Sequence, residues 1–358
     1  MQNPFAKWFG ALQPEAQSVI GVDAGSAYLK VVQLRRKGGK AILETYGSLA
    51  LGPYGAVEVG RATRLSTDKL IEALKDILRE AHITTTRADF AIPFASSLVM
   101  PIELPLLPEK ELAQAVPIEA RKFIPVPMGE VSLEWWLLPQ EPGAAPATKA
   151  RVLVAAIHKE AATRFAEVAV GAALVVGAPE IEVFSALRAL SADDLAPRAV
   201  IDFGAGETKL YLTDRGVLQL SHAVNHGSQD LTLALSRSGN LSVEAAEELK
   251  REKGLVPETA ASLQGVLNAT LSEIAGALRA FEKKAGHPVT EVILTGGGAN
   301  LAGLTDFAAR ALQLGVARAN PFSRVEAPAF LDDTLRSVGP EFSVALGVAF
   351  KALQEGGG

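Results

Sequence analysis

One strand-turn-strand unit occurs twice in this sequence, and the repeat limits the fold more than any other feature does. The first copy is VIGVDAGSAYLKVV (19–32) and the second is RAVIDFGAGETKLY (198–211), about half the chain apart. Each copy has an apolar strand, an Asp-x-Gly turn and a second strand that carries a lysine, and each continues through a polar turn into a further strand. We therefore expect two similar halves, each built on an antiparallel meander, although Asp-x-Gly turns are common enough for two hairpins to match by chance.

The length and the composition exclude several classes of protein. A chain of 358 residues is longer than one hydrophobic core normally supports, so at least two compact units are expected. The sequence has no cysteine, which excludes disulfides, thiolate nucleophiles and cysteine metal sites. The net charge is -5 and no long basic block is present, so nucleic acid is not expected as a partner. The histidines show no metal-binding spacing.

No segment has the pattern of a membrane span or a secretory signal. The most apolar window, 168–176, contains Gly171 and is much shorter than the roughly 20 residues that a transmembrane helix needs. The first ten residues lack the apolar stretch of a signal peptide. We therefore expect a cytoplasmic protein.

The segment between the two copies of the repeat differs from them in composition and in its predicted elements. An amphipathic pattern predicts a helix over 68–81, behind a cap at 66–68. Prolines then divide 96–139 into short pieces, which indicates an inserted subdomain, and 140–149 is predicted as an exposed loop. A strand at 151–157 and a helix at 159–170 follow, and 229–285 is rich in helix signals.

The two Asp-x-Gly turns have the chemistry of a phosphate and magnesium site. Backbone N–H groups in such a turn bind phosphate oxygens, and an aspartate can hold the water shell of Mg²⁺. Two facing turns would hold a triphosphate from both sides. Lys30, on the strand that follows Ser26, fits a phosphate-contacting cation, and its alternative is a solvated strand lysine.

A third glycine cluster follows a predicted strand at 289–294. Thr295 and the three glycines after it form a turn, and a helix is expected to begin at the turn and run over 300–312, an arrangement that lets a ligand approach the backbone closely. The G-x-G-x-x-G spacing of dinucleotide enzymes is missing after both repeat strands. Upstream, Glu247 and Lys250 are three positions apart on one face of a helix that is predicted to start at Ser242, and their alternative role is a surface ion pair.

Three motifs in this order resemble the phosphate-1, phosphate-2 and adenosine motifs of the superfamily of actin, heat-shock chaperone and sugar-kinase ATPases: VDAGSAYLK, IDFGAGETK and ILTGGGANLAGL. Within that superfamily the chain is most similar to the PilM family of type IV pilus assembly proteins, relatives of the cell-division protein FtsA. The stretches that carry this similarity are AVPIEARKFIPVPMGEVSL (115–133), AEELKREKG (246–254), NPF (320–322) and GPEFSVALGVA (339–349).

The resemblance implies an α/β protein with the actin-like ATPase fold, in which two lobes each contain an RNase-H-like mixed sheet and an FtsA/PilM-type subdomain is inserted. The implied segments are an N-terminal segment (1–17), the core of lobe 1 (18–95 and 158–196, with 335–353 returning to it), the inserted subdomain (96–157), the core of lobe 2 (197–224 and 288–334) and a helical nucleotide-binding subdomain (225–287).

The resemblance also implies ATP or ADP bound with Mg²⁺ between the lobes. Asp23 and Asp202 would hold the magnesium through water, and Glu182 would polarise an attacking water. Because Ala205 stands where related hydrolases often have a polar or acidic residue, at most weak ATPase activity is expected. The remaining implied nucleotide contacts are Gly25, Ser26, Lys30, Gly204 and Gly206 at the phosphates, Glu247 and Lys250 at the ribose or base, and Gly296, Gly297 and Gly298 under the adenosine.

The implied partner is the N-terminal cytoplasmic tail of a PilN-type inner-membrane protein, which would keep this chain peripheral to the membrane and relay to the assembly motor ATPases. The peptide groove is predicted near Arg121, Phe123, Ile124 and Trp135, and core packing is the alternative for each of them. Two other functions remain open: a phosphotransferase of the sugar-kinase branch, and an FtsA-like filament-forming division protein, although residues 351–358 lack the amphipathic anchor expected of the latter.

Overall fold

A computed structural model describes residues 18–138, 148–190 and 196–355. The predicted N-terminal segment and most of the predicted loop at 140–149 lie outside these residues. The strands are β1 (Val19–Ala24), β2 (Tyr28–Lys37), β3 (Lys40–Ala50), β4 (Arg87–Ile92), β5 (Ser97–Pro105), β6 (Val131–Leu137), β7 (Lys149–His158), β8 (Val175–Val176), β9 (Glu180–Ile181), β10 (Arg198–Phe203), β11 (Thr208–Asp214), β12 (Val217–Val224), β13 (Glu291–Thr295) and β14 (Val316–Arg318).

The helices lie between these strands and after them. They are α1 (Thr67–Glu80), α2 (Glu109–Ala120), α3 (Lys159–Gly171), α4 (Glu182–Leu190), α5 (Ser228–Gly239), α6 (Val243–Lys253), α7 (Pro257–Ala285), α8 (Leu304–Leu312), α9 (Asp332–Val338) and α10 (Ser343–Glu355). The caps predicted from the sequence are present, since the hydroxyls of Ser66 and Ser242 accept hydrogen bonds from backbone N–H groups in the first turns of α1 and α6.

The two copies of the repeat form equivalent parts of two sheets. In the first sheet β3, β2, β1 and β4 lie side by side, with β8 and β9 both pairing with β4, and in the second the order is β12-β11-β10-β13-β14. In each sheet the hairpin and its meander are antiparallel, and the first repeat strand also pairs in parallel with a later strand. The pairing register is also the same, because Asp23 lies opposite Lys30 and Asp202 lies opposite Lys209. The predicted meanders and mixed sheets are confirmed.

The proline-rich region contributes two short strands to a third sheet, whose central strand β7 comes from the segment after it. Its strand order is β5-β7-β6, and α2 packs against one face of the sheet. Pro108, Pro125 and Pro127 separate these short elements as predicted, whereas Pro101 lies within β5, a strand at an edge of the sheet, where proline is tolerated. The segment boundaries inferred from the resemblance stay predictions.

Helix α10 packs against β1 and α4 in the interior of the first lobe. Nine of its 13 residues are buried, and two glycines make the approach possible. A Cβ on Gly347 would lie 1.8 Å from the carbonyl oxygen of Ser185 on α4, and a Cβ on Gly21 would lie 1.9 Å from the carbonyl oxygen of Ala345. Only glycine permits contacts this short. Among the described residues, no helix combines the length and the apolar character that crossing a membrane requires.

Candidate functional site

The two aspartate turns line one cleft of about 1100 Å³ between the two repeat sheets. The turns face each other across it at short range, since a Cβ on Gly206 would lie 3.5 Å from the Oγ of Ser26. The predicted pairing of the turns in space is therefore present. The third glycine cluster and the start of the segment that leads into α10 also line this cleft.

The first turn holds its aspartate beside a lysine. The Gly25 N–H donates to the carbonyl oxygen of Tyr28 at 3.0 Å, which closes the turn. Asp23 and Lys30 are cross-strand neighbours, and the Lys30 Nζ lies 3.4 Å from the Asp23 Oδ2. Burial lowers the pKa of Lys30, but the carboxylates of Asp23, Glu341 and Asp202 outweigh that effect, so the pKa lies above its ordinary value and the side chain is charged. The alternative of a solvated lysine is wrong.

The second turn is fixed by backbone hydrogen bonds to its own strand and to α5. The Gly204 N–H donates to the Glu207 carbonyl at 3.1 Å, and the Gly204 carbonyl accepts from the Ser228 N–H at 2.8 Å. A Cβ on Gly204 would lie 2.8 Å from the Glu207 carbonyl oxygen, so glycine is required for this close turn. The start of α5 thus holds the second turn against the cleft.

Lys209 joins three carboxylates beneath the second turn. Its Nζ lies 2.8 Å from the Glu182 Oε1 and 3.7 Å from carboxylate oxygens of both Asp202 and Glu207. Burial lowers the pKa of Lys209, but Glu182 and the other acidic groups raise it well above its ordinary value, so this lysine is charged. The Glu182 Oε1 also accepts a hydrogen bond of 2.5 Å from the backbone N–H of Phe94, which shortly precedes β5. Glu182 lines the cleft as predicted, with Lys209 as its counter-ion.

The third glycine cluster needs two of its three glycines for packing. A Cβ on Gly296, whose φ is 81°, would lie 2.2 Å from the Asp202 Oδ1, and a Cβ on Gly298 would lie 2.4 Å from the Phe203 ring. A Cβ on Gly297 would have no atom within 4 Å. Gly297 is therefore the member that leaves open space in the cleft.

The helix after this cluster starts later than the sequence predicts. A short 3₁₀ turn (Gly297–Asn300) follows the strand, and α8 begins at Leu304 instead of residue 300. The reason is Gly303, whose φ of 84° lies in the left-handed region and interrupts a continuous right-handed helix. The glycine turn therefore does not lead directly into the N-terminus of α8.

Glu247 and Lys250 form a buried ion pair that lines the cleft. The two charged groups are 2.6 Å apart, and their side chains are only 14% and 7% exposed. The Lys250 Nζ also donates to the hydroxyls of Ser228 (2.8 Å) and Thr232 (2.9 Å), so it is bonded to α5. The alternative of a solvated surface pair is wrong.

Several cleft residues were missing from the predicted site, among them Lys209, Tyr28, Arg251 and Glu341. The repeat already pairs Lys209 with Lys30 by position, so the sequence carried a signal for it. Tyr28 lies within the first repeat motif, and Arg251 directly follows Lys250, so their positions were also within reach of the sequence. Glu341 comes from a distant segment that tertiary packing brings to the cleft. The described residues contain no cluster of three or more metal-ligating acids and histidines, so the predicted magnesium depends on the two aspartates and water.

The residues predicted for a peptide groove lie around α2 and β6. Arg121 and Phe123 are exposed, and the exposed fraction of Phe123 is 44%. Ile124 is buried in the core between α2 and the third sheet, and Trp135 packs partly against that core. Packing explains Ile124, and the groove itself stays a prediction.

A family model for the type IV pilus assembly protein PilM matches residues 21–353. The chain belongs to the PilM family. A chain from the solved PilM-PilN type IV pilus biogenesis complex is 28% identical with a TM-score of 0.81, and the match covers 95% of this chain and 99% of that one. The ethanolamine utilization protein EutJ from Carboxydothermus hydrogenoformans is 17% identical with a TM-score of 0.57, over 93% of this chain and 89% of that one.

These comparisons confirm the family and the fold that the motifs predicted. The chain is a type IV pilus assembly component with the actin-like ATPase fold. The match to EutJ supports the fold alone.

Proposed function

We propose that this chain binds ATP or ADP with Mg²⁺ in the cleft between its two lobes. The observation that carries the proposal is the pair of equivalent Asp-x-Gly turns, each with a cross-strand lysine, that face each other across one cleft. Glycines and backbone N–H groups at such turns suit phosphate oxygens, and lysines compensate their charge.

The donor set fits a hydrated magnesium ion. Asp23 and Asp202 are both at the ends of first repeat strands, and neither makes an ion pair shorter than 3.4 Å with its neighbouring lysine. Oxygen ligands and retained waters are what Mg²⁺ prefers in phosphate sites, where it would neutralise phosphate charge. We assign the phosphates to Gly25, Ser26, Lys30, Gly204 and Gly206, the adenosine to Gly296, Gly297 and Gly298, and the ribose or base to Glu247 and Lys250.

Nucleotide hydrolysis is proposed to be slow. Glu182 is the proposed water-polarising group, but its Oε1 already accepts from Lys209 and from the Phe94 N–H. Both contacts occupy the same oxygen, so this oxygen is not free to accept a hydrogen bond from an attacking water. Burial raises the pKa of Glu182 although Lys209 opposes the shift, so slow turnover is attributed to these occupied contacts and not to a weak base.

The second part of the proposal is a partner, namely the cytoplasmic N-terminal tail of a PilN-type inner-membrane protein. Family membership and the similarity to a chain solved in a PilM-PilN complex support it. Binding would hold this chain at the membrane periphery, where its nucleotide state would be relayed to the assembly motors.

The contacts of the third sheet provide a route from the cleft to the partner site. The Ser221 Oγ on β12 donates to the Val99 carbonyl on β5 at 2.6 Å, and Arg151 on β7 donates to the Gln219 side chain on β12. The third sheet is covalently continuous with the first lobe and hydrogen-bonded to the second. A change in lobe angle would therefore act on the sheet that carries the proposed groove.

Isothermal titration with Mg-ATP and Mg-ADP tests the nucleotide site. We expect micromolar binding by the wild-type chain and a loss of at least tenfold in affinity for Asp23→Ala and Asp202→Ala. Asp333→Ala, which changes an exposed aspartate on α9, should bind like wild type. Equal binding by all four proteins, or none by the folded wild type, would contradict the proposal.

Fluorescence anisotropy with a labelled PilN-type tail peptide tests the relay. Peptide affinity should differ between the Mg-ATP-saturated and the nucleotide-free protein. Ser221→Ala should reduce that difference, whereas Ser323→Ala, on a separate exposed turn, should not. Identical peptide affinity with and without nucleotide would refute the relay and leave nucleotide binding unaffected.

A further inference from the structure

A contact between the lobes lies at the cleft beside the first aspartate turn. The Nη2 of Arg251 on α6 donates to the hydroxyl of Tyr28 at the start of β2, at 2.5 Å. The guanidinium carbon also lies 5.8 Å from the centre of the Tyr28 ring, within cation-π range. Both residues line the cleft, so the two lobes are bridged at the wall of the proposed nucleotide site.

A buried network presents Arg251 in this direction. Its Nε donates to the Glu247 Oε1 at 2.8 Å, and the other oxygen of Glu247 accepts from Lys250 at 2.6 Å and from Thr232 at 2.5 Å. Glu247 is therefore fixed from three sides and holds the guanidinium towards Tyr28. The same carboxylate belongs to the pair assigned to the ribose or base, so the bridge is attached to the nucleotide site.

Further contacts between the lobes continue along this edge. The Ala62 N–H donates to the Gln229 Oε1 at 3.2 Å, and a Cβ on Gly60 would lie 3.4 Å from the Glu247 carboxyl carbon. The Arg251 side chain is 56% exposed, so water can replace its bond to Tyr28. Polar contacts of this exposed kind are individually weak and break readily. They suit a reversible closure better than a permanent joint.

We infer that Arg251 and Tyr28 form a clasp that holds the two lobes closed over a bound nucleotide and limits the rate at which it leaves. The inference rests on the proposed nucleotide site. The clasp adds contacts in the closed state alone, so its loss should raise the dissociation rate more than it lowers the association rate.

Release of a fluorescent mant-ADP, bound with Mg²⁺ and chased with unlabelled ADP, tests the clasp. We expect Arg251→Met and Tyr28→Phe each to release it about three to ten times faster than wild type, with a smaller change in association rate. Lys253→Met, an exposed lysine in the same last turn of α6, should release at the wild-type rate. Wild-type release rates in both clasp variants would overturn the clasp.

A cross-link provides the opposite perturbation. The chain contains no cysteine, so Ala62→Cys with Gln229→Cys gives one defined pair across the cleft edge. After loading with Mg-mant-ADP and joining with a short thiol-to-thiol linker, release should slow at least tenfold relative to the unlinked double variant. Unchanged release after complete cross-linking would show that this edge does not open for exchange and would overturn the inference.

The two proposals fail in different ways. If folded wild-type protein binds no nucleotide, the proposed nucleotide site and the clasp are both refuted. If wild type binds but neither the clasp variants nor the cross-link changes the release rate, the clasp alone is refuted.

Discussion

At the scale of single residues, the site depends on lysines that lie opposite aspartates. Lys30 and Lys209 are cross-strand partners of Asp23 and Asp202 in the same register. Lys30 forms an ion pair with Asp23, and Lys209 forms one with Glu182 as well as with Asp202. The two copies of the repeat thus have lysine at the same position, while the residues on either side of it differ.

Removing Lys209 should strand buried negative charge. The side chains of Lys209 and Glu182 are 11% and 7% exposed, and breaking a buried pair on one side costs about 3–5 kcal/mol. We expect Lys209→Met to lose that much free energy of unfolding, measured by urea denaturation. Lys75→Met, an exposed lysine on α1, should change it by less than about 0.5 kcal/mol. Lys209→Met with Glu182→Gln should recover part of the loss, and wild-type stability of the single variant would contradict this account.

At the scale of elements, short sequence patterns predicted the strands and helices well. They did not predict the effect of a glycine backbone conformation or of strand pairing. The hairpins, the caps at Ser66 and Ser242 and the helix-rich region follow from short-range spacing, and the structure confirms them. The late start of α8 depends on the positive φ of Gly303, which no periodicity reveals. Likewise, the edge position of β5 that accommodates Pro101 is decided by which strands pair, and pairing is a long-range property.

Two glycines of the third cluster are expected to have different roles: Gly296 is required for packing, and Gly297 faces the space proposed for the ligand. Gly296→Ala would combine a strained φ with a 2.2 Å approach to Asp202, so we expect a loss of about 2–4 kcal/mol of stability. Gly297→Ala adds a methyl group that faces open space, so the fold should be kept and nucleotide affinity lowered. Thermal unfolding with titration of Mg-ATP checks both variants. A folded Gly297→Ala protein with wild-type affinity would remove this turn from the proposed site.

At the scale of the whole molecule, the cleft brings together acidic and basic side chains from several segments, and no single motif shows their combined charge. Among the described residues, the acidic side chains of the cleft outnumber the basic ones by one. The seven acidic side chains are Asp23, Glu160, Glu182, Asp202, Glu207, Glu247 and Glu341, and the six basic ones are Lys30, Arg64, Arg164, Lys209, Lys250 and Arg251. Burial raises the pKa of Glu341, although Lys30 and Arg251 oppose the shift. A polyphosphate that entered such a site without a cation would add like charge to like.

Nucleotide binding should therefore depend strongly on a divalent cation. We expect the affinity for ATP to fall at least tenfold when EDTA replaces Mg²⁺ at constant ionic strength, and to return on adding magnesium in excess. Titration calorimetry measures both steps. Affinity in EDTA equal to that in magnesium would mean that the lysines alone compensate the phosphates and would contradict the charge argument.

Contacts between lobes mark the limit of what the sequence could predict. The repeat predicted that the two turns would face each other, because equivalent hairpins place equivalent groups at equivalent sheet edges. It could not predict that Arg251 reaches Tyr28 or that Glu341 enters the cleft, since these depend on how whole lobes pack. The motifs therefore predicted residues that line the cleft, tertiary packing added others, and the ligand contacts assigned to them stay a prediction.

The position of helix α10 in the interior of the first lobe has a consequence for biosynthesis. Strand β1 leaves the ribosome long before the helix that packs against it, which is made of residues 343–355. Contacts so distant in sequence close a long loop, and they form late. The first lobe must therefore wait for translation of the whole second lobe before its core is complete, and the nascent chain carries an uncovered apolar face in the meantime.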